Sequence, residues 1–116
     1  MRYLCLIYRE EQTIEGLPRP QLDALVREAL AYDDSLRASG HYLASAALQS
    51  VQTATTVRIV DGRTLATDGP FAETKEQLGG FVLIEAKDLD DALRVASKIP
   101  PARLGCVEVR PIRELR

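Results

Sequence analysis

The spacing of apolar residues along this chain changes in a fixed order, and that order limits the folds open to it. Residues 2–8 are an apolar run that is too short for a helix and is typical of a strand buried on both faces. Across residues 21–39 the apolar side chains instead recur with helical spacing. Pro20 can open that helix, because its missing N–H costs nothing there, and Gly40 can end it in the left-handed conformation. Residues 42–48 then predict a second strand.

The middle of the chain carries the pattern of a β-hairpin. Residues 56–60 alternate between apolar and polar, Asp61-Gly62 is a strong tight-turn pair, and residues 63–67 return. Residues 9–20, between the first strand and the first helix, are polar with one glycine and two prolines, and are predicted to be a loop.

The last third of the chain repeats the strand–helix–strand order. Residues 72–78 contain helix-forming types and predict a short helix that Gly79-Gly80 ends. Residues 81–86 predict a strand, and Asp88 is placed to cap a helix that stops at the proline pair 100–101. Residues 106–111 predict the final strand, with a proline suited to its end.

The predicted fold is therefore α+β, a ferredoxin-like βαββαβ unit with an inserted β-hairpin, in one domain over residues 1–116. Both helices would cover one face of an antiparallel sheet, which leaves the other face in need of a cover. On the first strand, Leu4, Leu6 and Tyr8 alternate with three further apolar side chains. A half-apolar open face of this kind suits a second protomer, so we expect a homodimer, a dimeric α+β barrel with a cavity inside. A solvated sheet in a monomer is the alternative.

Composition excludes several classes of function. The formal net charge is −2 with no basic run, so nucleic acid is not an expected partner. No apolar stretch approaches the ~20 residues that cross a bilayer, and the first apolar run is too short for a signal peptide, so we expect a cytoplasmic protein without membrane contact. Cys5 and Cys106 have neither CxxC spacing nor clustered histidines, so no metal site and no cofactor are predicted. Both are interpreted as buried, unpaired thiols.

Turn-forming and polar residues are densest in residues 67–80. Asp68-Gly69-Pro70 predicts a sharp reversal, at which Gly69 can take a positive φ. The Asp68 carboxylate has two interpretations. It can lock the turn by accepting hydrogen bonds from backbone N–H groups ahead of it, or it can stand rigidly at the mouth of a cavity and accept a proton.

The charged residues after this turn are also open to two interpretations. Glu73 and Glu76 are three positions apart and would share one helical face, as an acid–base pair or as a solvated face beside Lys75.

Five further side chains are candidates outside this segment. His41 is the sole histidine and is either a general base or a histidine that suits a helix C-terminus. Asp33 lies on or near the apolar stripe of the first helix, at its edge or paired. Tyr8 can offer its hydroxyl to a pocket or pack in the core. Glu108 and Arg110 share one strand face, where they would line the cavity between protomers or form a salt bridge across it.

The segment Asp68-Gly69-Pro70-Phe71, with Glu73, Lys75, Glu76 and Gly79-Gly80, resembles the signature of the DGPF branch of the YCII-related domain family. The similarity runs over nearly the whole chain, including the first and last strands. It implies a dimeric α+β barrel of ferredoxin-like halves and no settled activity. Some members resemble companions of extracytoplasmic-function sigma factors. Some relatives are suspected of catalysis by a His–Asp pair with the histidine on the first helix, but residues 21–39 contain no histidine, so that pair is not carried over.

Two functions follow as hypotheses. The first is a cofactor-independent enzyme that acts on a small polar or aromatic molecule in a cavity near the DGPF segment, with Asp68 and His41 as acid–base groups. The ligand contacts expected for it are Tyr8, Asp33, Phe71, Glu73, Lys75 and Arg110. The second is a non-catalytic ligand-binding or regulatory module, with a sigma factor as one possible partner.

Overall fold

The computed structural model describes residues 1–115, which form six strands and three α-helices. The elements are β1 (Arg2–Arg9), α1 (Glu11–Glu15), α2 (Arg19–Ser39), β2 (Tyr42–Ala47), β3 (Thr55–Val60), β4 (Arg63–Asp68), β5 (Gln77–Glu85), α3 (Leu89–Ala96) and β6 (Gly105–Pro111), with 3-10 turns at Val51–Thr53 and Pro100–Leu104.

Four of the strands form one antiparallel sheet in the order β2-β5-β1-β6. Without the hairpin, these are the four strands of a βαββαβ unit, and their order is that of the ferredoxin-like fold. The hairpin β3–β4 forms a separate two-stranded sheet. The predicted fold class, including the inserted hairpin, is confirmed.

The core lies between the sheet and the two long helices. Tyr3, Cys5 and Ile7 on β1 are buried, and Tyr3 and Cys5 lie opposite Ile84 and Val82 of β5. The same cluster contains Leu36 of α2 and Ala92, Val95 and Ala96 of α3. Burial of each large side chain contributes about 1.5–3 kcal/mol to the stability of this layer.

The other face of the sheet is only half covered. Leu4 and Leu6 on β1 and their neighbours Phe81 and Leu83 on β5 are partly exposed. The prediction that the first strand is buried on both faces is therefore wrong for this chain by itself, because both long helices lie on the face that carries Cys5.

The chain is flat and extended for its length. Its radius of gyration is 16.0 Å and its principal extents are 46 × 46 × 19 Å, whereas a compact domain of about 100 residues has a radius near 13 Å. The hairpin adds to this shape, since large apolar side chains on both of its strands are exposed, among them Val57, Ile59 and Leu65.

One predicted loop contains a helix. Within residues 9–20, α1 forms around Glu11, whose carboxylate accepts hydrogen bonds from the backbone N–H of Val51 (2.7 Å) and the hydroxyl of Ser50 (2.9 Å). The backbone N–H of Glu11 in turn donates to the Gln77 side chain at 3.0 Å. These contacts come from distant parts of the chain. The spacing of apolar residues within this segment therefore did not predict the helix.

One predicted helix does not form. Residues 72–78 contain no helix, and β5 begins at Gln77, four residues before the predicted strand. Gln77 and Leu78 pair with Arg9 and Tyr8, so the second half of β1 gains a partner. Strand pairing along the full length of β1 outweighs the helix propensity of so short a segment.

The predicted end of α2, the predicted cap of α3 and the predicted hairpin turn are confirmed. Gly40 ends α2 with φ 82°, and the Asp88 side chain caps α3 by accepting from the backbone N–H of Asp91 at 2.9 Å. Asp61 and Gly62 both have positive φ, 51° and 76°, as the tight hairpin turn requires. No helix within residues 1–115 is long and apolar enough to cross a membrane.

Candidate functional site

A cleft of about 390 Å³ lies between α2 and the sheet. Its walls are mostly apolar and come from α1, α2, β1, β2, β5 and the turn that follows α3; they include Ile14, Leu22, Val26, Val82 and Pro100. Four polar or charged side chains, those of Arg9, Tyr32, Asp33 and Ser45, also line it. An apolar cleft with a few convergent polar groups is the usual form of a small-molecule site.

Asp33 is held in place by β2. Its Oδ2 accepts a hydrogen bond from the Ser45 hydroxyl at 3.0 Å, and the Tyr42 and Ser45 hydroxyls lie 2.8 Å apart. A register shift between Tyr42 and Ala44 aligns Tyr42 with Ile84 and Ser45 with Val82, so both polar side chains face the helices although three positions separate them. The Oδ1 atom of Asp33 has no hydrogen-bond partner within residues 1–115. Asp33 is half-buried, as expected at the edge of the apolar stripe, and it also has a hydrogen-bond partner in Ser45. The bulge that supplies this partner has no clear sequence signal.

Arg9 enters the cleft from the end of β1, and sequence analysis missed it. Its Nε atom is buried and has no hydrogen-bond partner among the described residues. Burial lowers the pKa of Arg9, and the nearby charge of Glu11 opposes that shift. Arginine nevertheless stays protonated in proteins, so a positive charge is retained here.

The glycine pair of the signature shapes the same wall. Gly79 lies at the register shift between β1 and β5, and a Cβ atom on it would overlap the guanidinium of Arg9. A Cβ on Gly80 would lie 2.7 Å from the carbonyl oxygen of Ala46 on β2. The two glycines therefore lie within a strand, where they let the Arg9 side chain and the β2 backbone approach closely. The prediction that they end a helix is wrong. Glycines inside an apolar run are a signal for such close approach.

His41 lies elsewhere, between the end of α2 and the start of α3. Its Nε2 is 3.0 Å from a carboxylate oxygen of Asp91, and its Nδ1 is 2.7 Å from the Ser39 hydroxyl. Asp91 is buried and also accepts from the backbone N–H of Lys87 and from Arg94. That backbone N–H, assisted by His41 and Arg94 against the opposing effect of burial, holds the pKa of Asp91 below its usual value. His41 thus joins two helix ends outside the cleft, and its catalytic role stays a prediction.

The Asp68 turn is held by its neighbour. Gly69 has φ 98°, its N–H donates to the Ala54 carbonyl at 2.7 Å, and its own carbonyl accepts from the Thr56 hydroxyl at 2.8 Å. Asp68 is exposed, and its side chain makes no hydrogen bond within residues 1–115. The backbone of Gly69, and not the Asp68 carboxylate, closes this turn. Phe71 is 80% exposed beside it.

The remaining candidates are split between two regions, neither of which is the cleft. Glu73 is exposed, and Lys75 Nζ lies 3.8 Å from a carboxylate oxygen of Glu10. Tyr8 and Arg110 lie on the open face of the sheet. The Tyr8 hydroxyl donates to Glu108 at 3.4 Å, and the pKa of Tyr8 is raised, first by burial and then by the charge of Glu108.

The two cysteines differ. Cys5 is fully buried in the core, and burial raises its pKa to about 11. Cys106 is exposed, so the prediction that it is buried is wrong; it lies opposite Tyr8 on an edge strand of the open face. Both thiols are free, as expected. Among residues 1–115, no three histidine, cysteine, aspartate or glutamate side chains gather where they could hold a metal ion.

A model of the YCII-related domain matches residues 1–116. The chain belongs to the YCII-related domain family. A relative, an uncharacterised protein of Rhizobium meliloti (strain 1021), is 36% identical over 114 residues, which are 97% of this chain and 92% of the relative. The family predicted from the signature residues is therefore correct.

A solved structure agrees with the YCII fold seen here. The 5-chloro-2-hydroxyhydroquinone dehydrochlorinase of Burkholderia phenoliruptrix AC1100, in complex with 2,5-dihydroxybenzoquinone, superimposes with a TM-score of 0.55 and 16% identity. The match covers 97% of this chain and 94% of that one. At this identity the likeness establishes a shared fold and nothing more.

Proposed function

We propose that this YCII-related protein is a homodimeric enzyme that uses acid–base chemistry, without a cofactor, on a small organic molecule bound between α2 and the sheet. The observation that carries the proposal is the Asp33 carboxylate, fixed by Ser45 in a mostly apolar cleft.

The cleft suits one small ring-sized molecule. Ligand sites span about 300–1,000 Å³, and this cleft, at about 390 Å³, is near the lower end. One oxygen of Asp33 is occupied by Ser45, which leaves the other to take a proton from a ligand or to return it. The Burkholderia protein of the same fold is a dehydrochlorinase solved with 2,5-dihydroxybenzoquinone, a small flat molecule, and this supports the assignment of substrate size.

The proposal moves the proton transfer away from the groups that sequence analysis favoured. Asp68 and His41 do not line the cleft, whereas Asp33, predicted as a ligand contact, does. Asp33 therefore takes the acid–base role in this proposal.

The dimer is supported by the open face of the sheet. Its central strip of Leu4, Leu6, Phe81 and Leu83 is partly exposed in the isolated chain. Stable interfaces bury on the order of 800 Å² on each partner, and this strip lies on β1 and β5, the two central strands of the sheet. Tyr8 and its partner Glu108 lie at the border of this strip, as polar groups do at the rim of an interface.

The test compares Asp33→Asn with Asp34→Asn, the exposed neighbour that pairs with Arg37. Turnover would be screened over hydroxylated benzoquinones and chlorinated hydroquinones, with 2,5-dihydroxybenzoquinone as the binding standard. We expect Asp33→Asn to lower turnover by about 100-fold or more with the fold unchanged, and Asp34→Asn to have no effect. If Asp68→Asn abolishes turnover while Asp33→Asn preserves it, the assignment to this cleft is wrong.

The second candidate function is a binding or regulatory module, and the exposed apolar side chains of the hairpin favour it. Ile59 of the hairpin is 75% exposed, and Phe71, which follows the hairpin, is 80% exposed. Apolar patches of this kind mark contacts with other proteins. Co-elution of a purified extracytoplasmic-function sigma factor with the wild type, and its loss in Ile59→Ser, would support this function. Unchanged elution of both proteins would count against it.

A further inference from the structure

Arg9 is unusual among the arginines of this chain. Five others form ion pairs, namely Arg2, Arg19, Arg37, Arg94 and Arg103. The other arginines of residues 1–115 that form no ion pair are exposed to solvent, whereas Arg9 forms none although it is half-buried, with its Nε fully buried, and lines the cleft. The nearest acidic influence, Glu11, is already bonded to Ser50 and Val51.

A half-buried guanidinium without an ion-pair partner is unfavourable in an apolar cleft. Burial removes water from part of the charged group, and no partner of opposite charge replaces that water. The fold nevertheless makes room for this group, because Gly79 leaves empty the space that a side chain would fill. A planar guanidinium matches an ionised carboxylate or enolate through paired N–H donors.

We propose that Arg9 binds the ionised oxygen of the ligand, so that the cleft takes small, flat organic anions. This inference rests on the cleft named above as the ligand site and adds the class of molecule that it accepts. Asp33, on the α2 wall, then faces a part of the ligand that carries an acidic proton. A hydroxylated aromatic acid and the enolate of a hydroxyquinone both satisfy the two groups.

Neutral ligands satisfy only part of this arrangement. They fill the apolar walls but leave the Arg9 charge without a partner, so the arrangement favours the anion over a neutral molecule of the same shape. The two charges of the cleft, one from Arg9 and one from Asp33, also disfavour dianions, because Asp33 repels the second negative charge.

The experiment titrates the full-length protein with benzoate and with benzamide, which match in shape and differ in charge, and follows backbone amide shifts by NMR. We expect both probes to shift residues of the cleft, with benzoate bound about tenfold or more tightly. Arg9→Gln should remove that preference and leave the benzamide affinity unchanged. Arg27→Gln, an exposed arginine on α2, is the matched control and should keep the preference.

The outcomes separate this inference from the proposed function. Equal affinity for both probes in the wild type, or a benzoate preference that survives in Arg9→Gln, overturns the role of Arg9 while the cleft remains a ligand site. Shifts outside the cleft for both probes, or binding of neither, overturn the role of Arg9 together with the cleft as the ligand site.

Discussion

The guanidinium of Arg9 occupies the space that a side chain on Gly79 would need. Gly79 is the bulged residue of β5, and Arg9 is the last residue of β1. This pair ties the glycines of the family signature to the cleft rather than to a helix end.

Gly79→Ala and Gly80→Ala should therefore have different consequences. The new methyl of Gly79→Ala meets the mobile end of Arg9, so we expect the guanidinium to move, benzoate affinity to fall about tenfold and stability to change by less than about 1 kcal/mol. The methyl of Gly80→Ala meets the Ala46 carbonyl at 2.7 Å, and we expect a loss of about 1–3 kcal/mol. Urea unfolding of both variants, with benzoate titration, measures the difference. Equal stability losses in Gly79→Ala and Gly80→Ala would show that the Arg9 guanidinium cannot move aside, and would contradict this prediction.

Asp91 should make stability depend on pH. Because its pKa is lowered on folding from an ordinary value of 3.8, its contribution is fully present above that value and disappears as the pH falls through the folded pKa. Asp91→Asn should thus lower the melting temperature at neutral pH. In strong acid, the melting temperatures of Asp91→Asn and the wild type should converge. Asp90→Asn, at an exposed position of the same helix turn, is the control. A constant offset between Asp91→Asn and wild type at every pH would contradict this assignment.

If the open face of the sheet is the dimer interface, a charge introduced on that face should prevent dimerisation. Leu6→Glu should convert a dimer into a monomer, because a buried unpaired carboxylate costs several kcal/mol in the interface. Light scattering after size exclusion gives the mass directly. Leu93→Glu, on α3 and 45% exposed, should remain a dimer. A wild-type protein that is monomeric at high concentration would contradict the proposed dimer.

Ser45 should act through Asp33. Ser45→Ala removes the hydrogen bond to Oδ2 of Asp33, so the carboxylate loses its fixed orientation. We expect kcat to fall by about tenfold, less than for Asp33→Asn, with the KM of an anionic substrate little changed. A Ser45→Thr variant, which keeps the hydroxyl, should recover part of the loss. If Ser45→Ala has full activity, Asp33 does not depend on this bond.

Local sequence signals were enough for most of the fold. The helical spacing before Gly40, the turn pair Asp61-Gly62 and the cap Asp88 each act within a few residues, so their structures follow from neighbouring side chains. α1 and the start of β5 could not be predicted in this way. They depend on partners far along the chain, such as Gln77 for Glu11 and Arg9 for Gln77.

The candidate site was predictable only in part. Asp33 stood out because a carboxylate interrupts an apolar stripe, and it does line the cleft. Arg9 gave no such signal, since an arginine at the end of a strand is usually solvated. Arg9 stands out only in the folded structure, where its buried Nε has no hydrogen-bond partner among residues 1–115 and Gly79 leaves space for its guanidinium.

The most direct test of the cleft as the ligand site is a crystal structure of the protein soaked with 4-bromobenzoate, in which anomalous scattering locates the bromine. We predict one bromine peak between α2 and the sheet, with the carboxylate against Arg9, and a weaker peak at the same place in Arg9→Gln crystals soaked at the same concentration. A peak on the open sheet face beside Tyr8, or at the turn of Gly69, with the cleft empty, would contradict the account.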